Sequence, residues 1–130
     1  MIVVDASVAV EVLLRGTDST ALVSRLLDSG EALHAPHLLD VEVAQVLRRF
    51  ARRGAFSDRR GAEALRLLAD FPLTRHHHTP VLPRLWVLRD NITAYDAAYV
   101  ALAELLGATL LTRDRRLEAA VGHRAKIEVV

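Results

Sequence analysis

The sequence predicts an α/β fold: a central, mainly parallel sheet of about five short strands, covered by helices on both faces. Three observations lead there. Short apolar strand candidates alternate with helix-length segments in the order β-α-α-β-α-α-β-α-α-β-α-β, the pattern of a parallel sheet buried between helices. The first strand candidate turns directly into a helix at Asp5-Ala6-Ser7, as at the start of a βαβ unit. No repeat, low-complexity tract or linker interrupts the chain, so residues 1–130 are expected to form a single domain.

Taken in order, Ile2, Val3 and Val4 form the first strand, and residues 8–14 form two helical turns stopped by Gly16. Asp18, Ser19 and Thr20 offer an N-cap to a second helix, in which Ala21, Leu22, Leu26 and Leu27 recur at helical spacing. Residues 32–35 are a weak strand closed by Pro36. Residues 38–53 form a strong helix with apolar positions 39, 43, 46, 47 and 50, and it ends in a basic turn before Gly54, as the helix dipole prefers. Ser57 caps the next helix, whose buried face is expected to hold Ala62, Leu65, Leu68 and Ala69. After a short strand at 72–74, Thr79 and Pro80 look like an N-cap and first helical residue. Val81, Leu82, Leu85, Trp86 and Leu88 are assigned to the buried face of that helix. Then come a helix over 95–106 stopped by Gly107, a strand at 108–111, a helix from about 115 to 121 and a strand near 127–130.

Composition narrows the function. With 52% hydrophobic and 25% charged residues, the chain can bury a full core. It has no cysteine, which excludes disulfides, thiolate metal sites and cysteine nucleophiles and suits a reducing compartment. The longest apolar runs, such as 97–103, fall well short of the ~20 residues that span a bilayer, and residues 1–5 carry no basic leader. A soluble, cytoplasmic protein without a membrane partner is expected. Net charge is only +1, yet of 17 basic residues Lys126 alone is lysine. Arginine grips phosphate with a planar fork of donors, although a codon bias against lysine accounts for the ratio equally well.

Four acids stand out. Asp5 and Asp114 lie at the C-terminal ends of the first and fourth strands, where ligands bind in parallel α/β sheets. If those strands are neighbours, both carboxylates face one crevice. Asp96 sits in the first turn of the helix leading to the fourth strand. Glu42 falls at the edge of the apolar arc of its helix, partly desolvated and in need of a partner. Each acid also has a local reading. Asp5 and Asp114 suit helix caps, Thr93-x-x-Asp96 matches a capping box, and Glu42 is placed to pair with Arg49 or with an arginine of a neighbouring helix. Those readings do not explain why all four map to one end of one sheet. Crowded carboxylates raise each other's pKa unless a cation neutralises them, and oxygen-only ligands suit Mg²⁺ or Mn²⁺. The chemistry that follows is phosphodiester hydrolysis by metal-activated water. Ser7 and Thr112 are candidates to hydrogen-bond the carboxylates, or simply to stabilise caps and turns.

Asp5-Ala6-Ser7 after an N-terminal strand, Glu42 in a helix, Tyr95-Asp96-Ala97 within 93–103, and Thr112-Arg113-Asp114 after Leu110-Leu111 together resemble the PIN-domain family. Within it the likeness is to the VapC-type toxins of bacterial toxin–antitoxin modules, and it covers essentially the whole chain. The resemblance implies a three-layer α/β/α fold and a Mg²⁺- or Mn²⁺-dependent endoribonuclease. It also implies homodimerisation and neutralisation by a VapB-type antitoxin, and it carries the acidic-site roles onto Asp5, Glu42, Asp96 and Asp114. Some relatives have a further acid after the last aspartate; here Leu117 is apolar and Glu118 is the only stand-in.

Arg113, Arg115 and Arg116, with Tyr95 as a stacking surface, are candidate RNA contacts. Trp86 and Tyr99 are assigned to the core. The basic runs at 48–53 and at Arg59 and Arg60 fit a solvated face as well as a phosphate track. His76, His77 and His78 cannot all reach one ion from a regular element, and a surface loop is the expectation for them. Position 7 is serine, where an Asp-x-Asp phosphatase would need aspartate, and the only lysine is too late for a receiver domain. Two alternatives stay open: a PIN nuclease in RNA processing, and a non-catalytic binding module with a structural acid cluster.

Overall fold

Residues 1–15 and 19–130 are described in the computed structural model; the expected helix stop at Gly16 and the Asp18 part of the second helix's cap lie outside them. Five strands form one sheet: β1 (Ile2–Val4), β2 (Leu33–Pro36), β3 (Leu73–His76), β4 (Thr109–Thr112) and β5 (Lys126–Val129), in the spatial order β3-β2-β1-β4-β5. Every pairing is parallel, so the expected α/β class and strand count hold. Strand order reverses between β1 and β4, where Val4 lies opposite Leu111. That neighbouring pair was the condition for Asp5 and Asp114 to share a crevice.

Ile2, Val3 and Val4 are each fully buried. Successive side chains of a strand point to opposite faces, so both faces of β1 are covered. One helix group comprises α1 (Ala6–Arg15), α3 (Leu38–Arg52) and α4 (Asp58–Ala69), packed on one another and on β2 and β4. Another comprises α5 (Leu82–Val87) and α6 (Ala94–Leu106), with α6 lying along β1, β2 and β4. Helices α2 (Thr20–Leu27) and α7 (Arg115–Ala119) complete the set, α7 against β5. Arg25 of α2 ties the sheet edge together: it holds Glu128 of β5 at 2.9 Å and Glu31 at 3.0 Å, and Glu31 also takes the N-terminal amine.

Helix α6 forms where its sequence directs. Thr93 Oγ1 accepts the Asp96 N–H at 3.2 Å, and Ala97 to Ala103 are all buried. Gly107 ends the helix at φ +61°, a left-handed conformation that glycine adopts without strain. Ser57 caps α4 by accepting the Arg60 N–H.

Two buried faces differ from expectation. In α4 it is Gly61, Ala64 and Leu68 that turn inward, while Ala62, Leu65 and Ala69 are exposed. Of the expected stripe Leu68 is buried and the other three positions are not, because leucines at 65, 67 and 68 fit more than one helical phase. Around α5, a 3-10 turn at Thr79–Val81 precedes the helix. Val81 and Leu88 are buried and Leu85 packs against the core, but Leu82 and Trp86 are exposed. Positions 81, 85 and 88 share one helical face and 82 and 86 the next, so Trp86 is a surface residue rather than a core one. The histidine run also differs. His76 closes β3, and its Nε2 lies 3.0 Å from His34 Nδ1 of β2, while His78 Nε2 accepts the Leu38 N–H at the start of α3.

Candidate active site

The end of β1 is joined to the end of β4 by two hydroxyl relays. Thr112 Oγ1 accepts the Asp114 N–H at 3.0 Å and donates to Asp5 Oδ2. Ser7 Oγ accepts the Arg113 N–H at 3.0 Å and donates to Asp5 Oδ1 at 2.6 Å. Each hydroxyl has one proton, so both are committed to the same carboxylate. Val8 N–H donates to Oδ1 as well, at 3.1 Å, which makes Asp5 the N-terminal cap of α1 in addition. Asp5 is only 9% exposed. Burial raises its pKa, and the three donors offset part of that rise.

Glu42 projects from α3 and accepts a 2.5 Å hydrogen bond from the Tyr99 hydroxyl of α6. Burial raises the Glu42 pKa, and the charges of Asp96 and Asp5 raise it further. Burial likewise raises Asp96, with Asp114 adding to the rise and Thr93 lowering it. Tyr99 is 3% exposed, and its phenol is pushed well up by burial and by Glu42. Asp114 behaves differently. Arg116 donates to both of its oxygens, at 3.0 and 2.8 Å, and holds its carboxyl below the ordinary range. Asp114 also accepts the Arg116 N–H and so caps α7.

The four predicted acids therefore form one electrostatic neighbourhood: Glu42 feels Asp5 and Asp96, and Asp96 feels Asp114. Among the described residues, no three acid or histidine side chains stand close enough to share one ion as they are oriented here. The donor set still fits a hard divalent cation. It is all carboxylate oxygen, and burial has made three of its members reluctant anions that a cation would relieve. A groove of about 700 Å³ opens over Asp96, Asp114 and Arg116.

The other candidates fall in different places. Tyr95 is exposed beside Glu42 and Arg49 in a second hollow. Arg115 is exposed, whereas Arg113 is engaged by Glu11 of α1. Glu118 is exposed and lies outside the lining of the Asp96–Asp114 groove. Glu42 pairs with Tyr99 rather than with Arg49.

Tyr99 is the residue that sequence reasoning missed. It is buried, as expected of a core aromatic, but its hydroxyl reaches the acid cluster. The available signal was its position three residues after Asp96, on the same side of α6.

The sequence matches the PIN domain family over residues 2–122. It is 41% identical over 130 residues, 100% of this chain and 98% of that protein, to VapC ribonuclease Mb0985 of Mycobacterium bovis. Among solved structures, PAE2754 from Pyrobaculum aerophilum is similar with a TM-score of 0.76 and 26% identity, over 99% of this chain and 83% of that one. VapBC2 from Rickettsia felis, solved bound to a DNA fragment from the promoter, has a TM-score of 0.69 at 15% identity, over 99% of this chain and 98% of that one. The last likeness is one of fold alone.

Proposed function

The chain belongs to the PIN-domain family, alongside the VapC ribonucleases, and from that premise we propose that it is a divalent-metal-dependent endoribonuclease acting as the toxin of a toxin–antitoxin pair. Mg²⁺ or Mn²⁺ is the ion, held by Asp5, Glu42, Asp96 and Asp114. The observation that carries this reading is the convergence of Asp5, Glu42 and Asp96 from β1, α3 and α6 on the C-terminal edge of a parallel sheet, where burial raises the pKa of each and Glu42 feels the charge of the other two. Partly desolvated acids gathered in one place call for a counter-charge. Arg116 is bonded to Asp114 and offsets the rise at Asp96 only in part.

When bound, the ion polarises the phosphodiester and lowers the pKa of the attacking water. The protein's own groups do the rest. Ser7 and Thr112 fix the Asp5 rotamer from two sides, and Tyr99 fixes Glu42. In this reading water is the nucleophile, and Ser7 and Thr112 serve to position Asp5. Tyr95, Arg113 and Arg115, all exposed, and Arg116 at the groove are the candidate RNA contacts. The likeness to VapC ribonucleases at 41% identity over the whole chain supports a VapB-type antitoxin as partner. A homodimer and a cytoplasmic location complete the proposal. Among the described residues no helix is long and apolar enough to cross a membrane.

The test is cleavage of a broad panel of cellular RNAs by purified protein with Mg²⁺ or Mn²⁺, beside an Asp96→Asn variant. The expected result is metal-dependent cleavage that the variant lacks, with growth arrest on expression relieved by the same change. Wild-type protein inert on every RNA in both metals would sink the enzyme reading. Cleavage without growth arrest would sink only the toxin role.

A further inference from the structure

The groove over Asp96 and Asp114 continues past Asn91 to Arg89. Arg89 is set differently from the arginines that a carboxylate holds closely. Arg25, Arg75, Arg84 and Arg116 are each bonded to a carboxylate at 3.0 Å or less. Arg89 instead lies over the Trp86 ring, its guanidinium carbon 4.7 Å from the ring centroid, and donates to the Trp86 carbonyl at 2.8 Å. Its nearest acid, Asp90, is 3.8 Å away and 80% exposed, so water screens most of that attraction. Trp86 itself is 69% exposed. A tryptophan left in solvent with a cation over its ring forms a positively charged aromatic shelf whose Arg89 end lines the groove, Trp86 itself standing just outside that lining.

We propose that this Arg89–Trp86 shelf grips the single-stranded RNA substrate away from the scissile bond, Arg89 binding a backbone phosphate and the shelf stacking an unpaired base. The inference rests on the ribonuclease reading and extends it to the form of RNA bound. Stacking on aromatic or guanidinium planes requires a base free of its helix, and a cation beside the stack pairs with the adjacent phosphate. Trp86 pre-sets the guanidinium plane, which limits the side-chain entropy lost on binding. Duplex RNA hides its base faces and gains nothing from such a shelf.

Trp86 is the only tryptophan in the chain, so its fluorescence reports on this place alone. Asp96→Asn protein is titrated with a short unstructured oligoribonucleotide and, separately, with an RNA duplex of equal length. Binding is followed by anisotropy of a label on the RNA and by Trp86 emission. The single strand is expected to quench Trp86 with the same midpoint as the anisotropy, and the duplex to leave it unchanged. In the active protein, Arg89→Gln is expected to raise KM about tenfold with kcat nearly unchanged, and to reduce the salt dependence of binding by about one phosphate contact, a slope change of ~0.7. Arg89→Lys should keep the salt slope while losing part of the affinity. RNA binding that leaves Trp86 emission unmoved overturns the proposal, as does an Arg89→Gln protein with unaltered KM and salt slope. Trp86 emission that follows protein concentration instead of RNA would make this surface a contact between two copies and would also overturn it. If the wild-type protein cleaves RNA while these outcomes fail, only the shelf is lost; if it neither binds nor cleaves RNA, the ribonuclease reading falls first.

Discussion

Replacing Tyr99 with phenylalanine isolates one link in the site. The ring is 3% exposed and stays in place, so no cavity opens. What disappears is the hydroxyl that donates to Glu42 at 2.5 Å. A hydrogen bond to a charged group contributes about 1.5–3 kcal/mol, and because Glu42 is only half-buried the lower end applies, about 1.5 kcal/mol. For a chain of this length that corresponds to a fall in Tm of about 5 °C. Tyr99→Phe also removes a contribution that lowers the Glu42 pKa, so the carboxyl should take up its proton at a higher pH than in the wild type. The destabilisation should therefore narrow as pH falls and Glu42 becomes neutral. The assay is urea denaturation in chelator at several pH values, for wild type, Tyr99→Phe, Glu42→Gln and the double variant. A coupling of about 1 kcal/mol or more between the two sites is expected. Single variants whose effects simply add, or a Tyr99→Phe protein as stable as wild type at neutral pH, would refute the link. In cleavage assays the same change should cost about 10- to 100-fold, the usual penalty for loosening a partner of a metal-holding group.

Three further outcomes are expected. Asp96→Asn should lose cleavage yet gain stability in chelator. Burial raises the folded-state pKa of Asp96, so the charged form is penalised on folding: wild-type stability declines as pH rises through the unfolded and then the folded pKa, and denaturation curves of the variant should lack that decline. Glu104 behaves oppositely. Arg84 at 2.7 Å and the Arg124 N–H hold its carboxyl below the ordinary range; its stabilisation is present above the unfolded pKa of about 4.3 and is lost as pH falls through the folded value. Glu104→Gln should cost about 2 kcal/mol at neutral pH and flatten the acid limb of the wild-type stability curve. Gly122→Ala should cost about 1–3 kcal/mol by thermal melting, because φ is +92° there and a new Cβ would stand 2.3 Å from Asn91 Nδ2, a groove-lining side chain that would have to move.

The sequence by itself determined the features written within a few residues of one another. Thr93 and Ser57 cap their helices by bonding backbone three residues on, Gly107 stops α6, and the strand-end positions of Asp5 and Asp114 follow from short apolar runs that break at polar residues. These were legible because hydrogen bonds between a side chain and its neighbouring backbone depend on local spacing alone. The choice of buried face on α4 and α5 was not legible. Leucines and a tryptophan on adjacent phases satisfy two helical stripes equally, and only the surface the helix meets selects between them. Tertiary structure also decided that β1 lies beside β4, which turns two distant acids into neighbours. It set Tyr99 against Glu42 across 57 residues of chain, a contact between α6 and α3 that no spacing within either helix encodes. It placed His76 against His34 rather than in a surface loop. The physical reason is common to all of these: a side chain's partner across the fold depends on how the sheet orders its strands, and strand order depends on the packing of the whole chain.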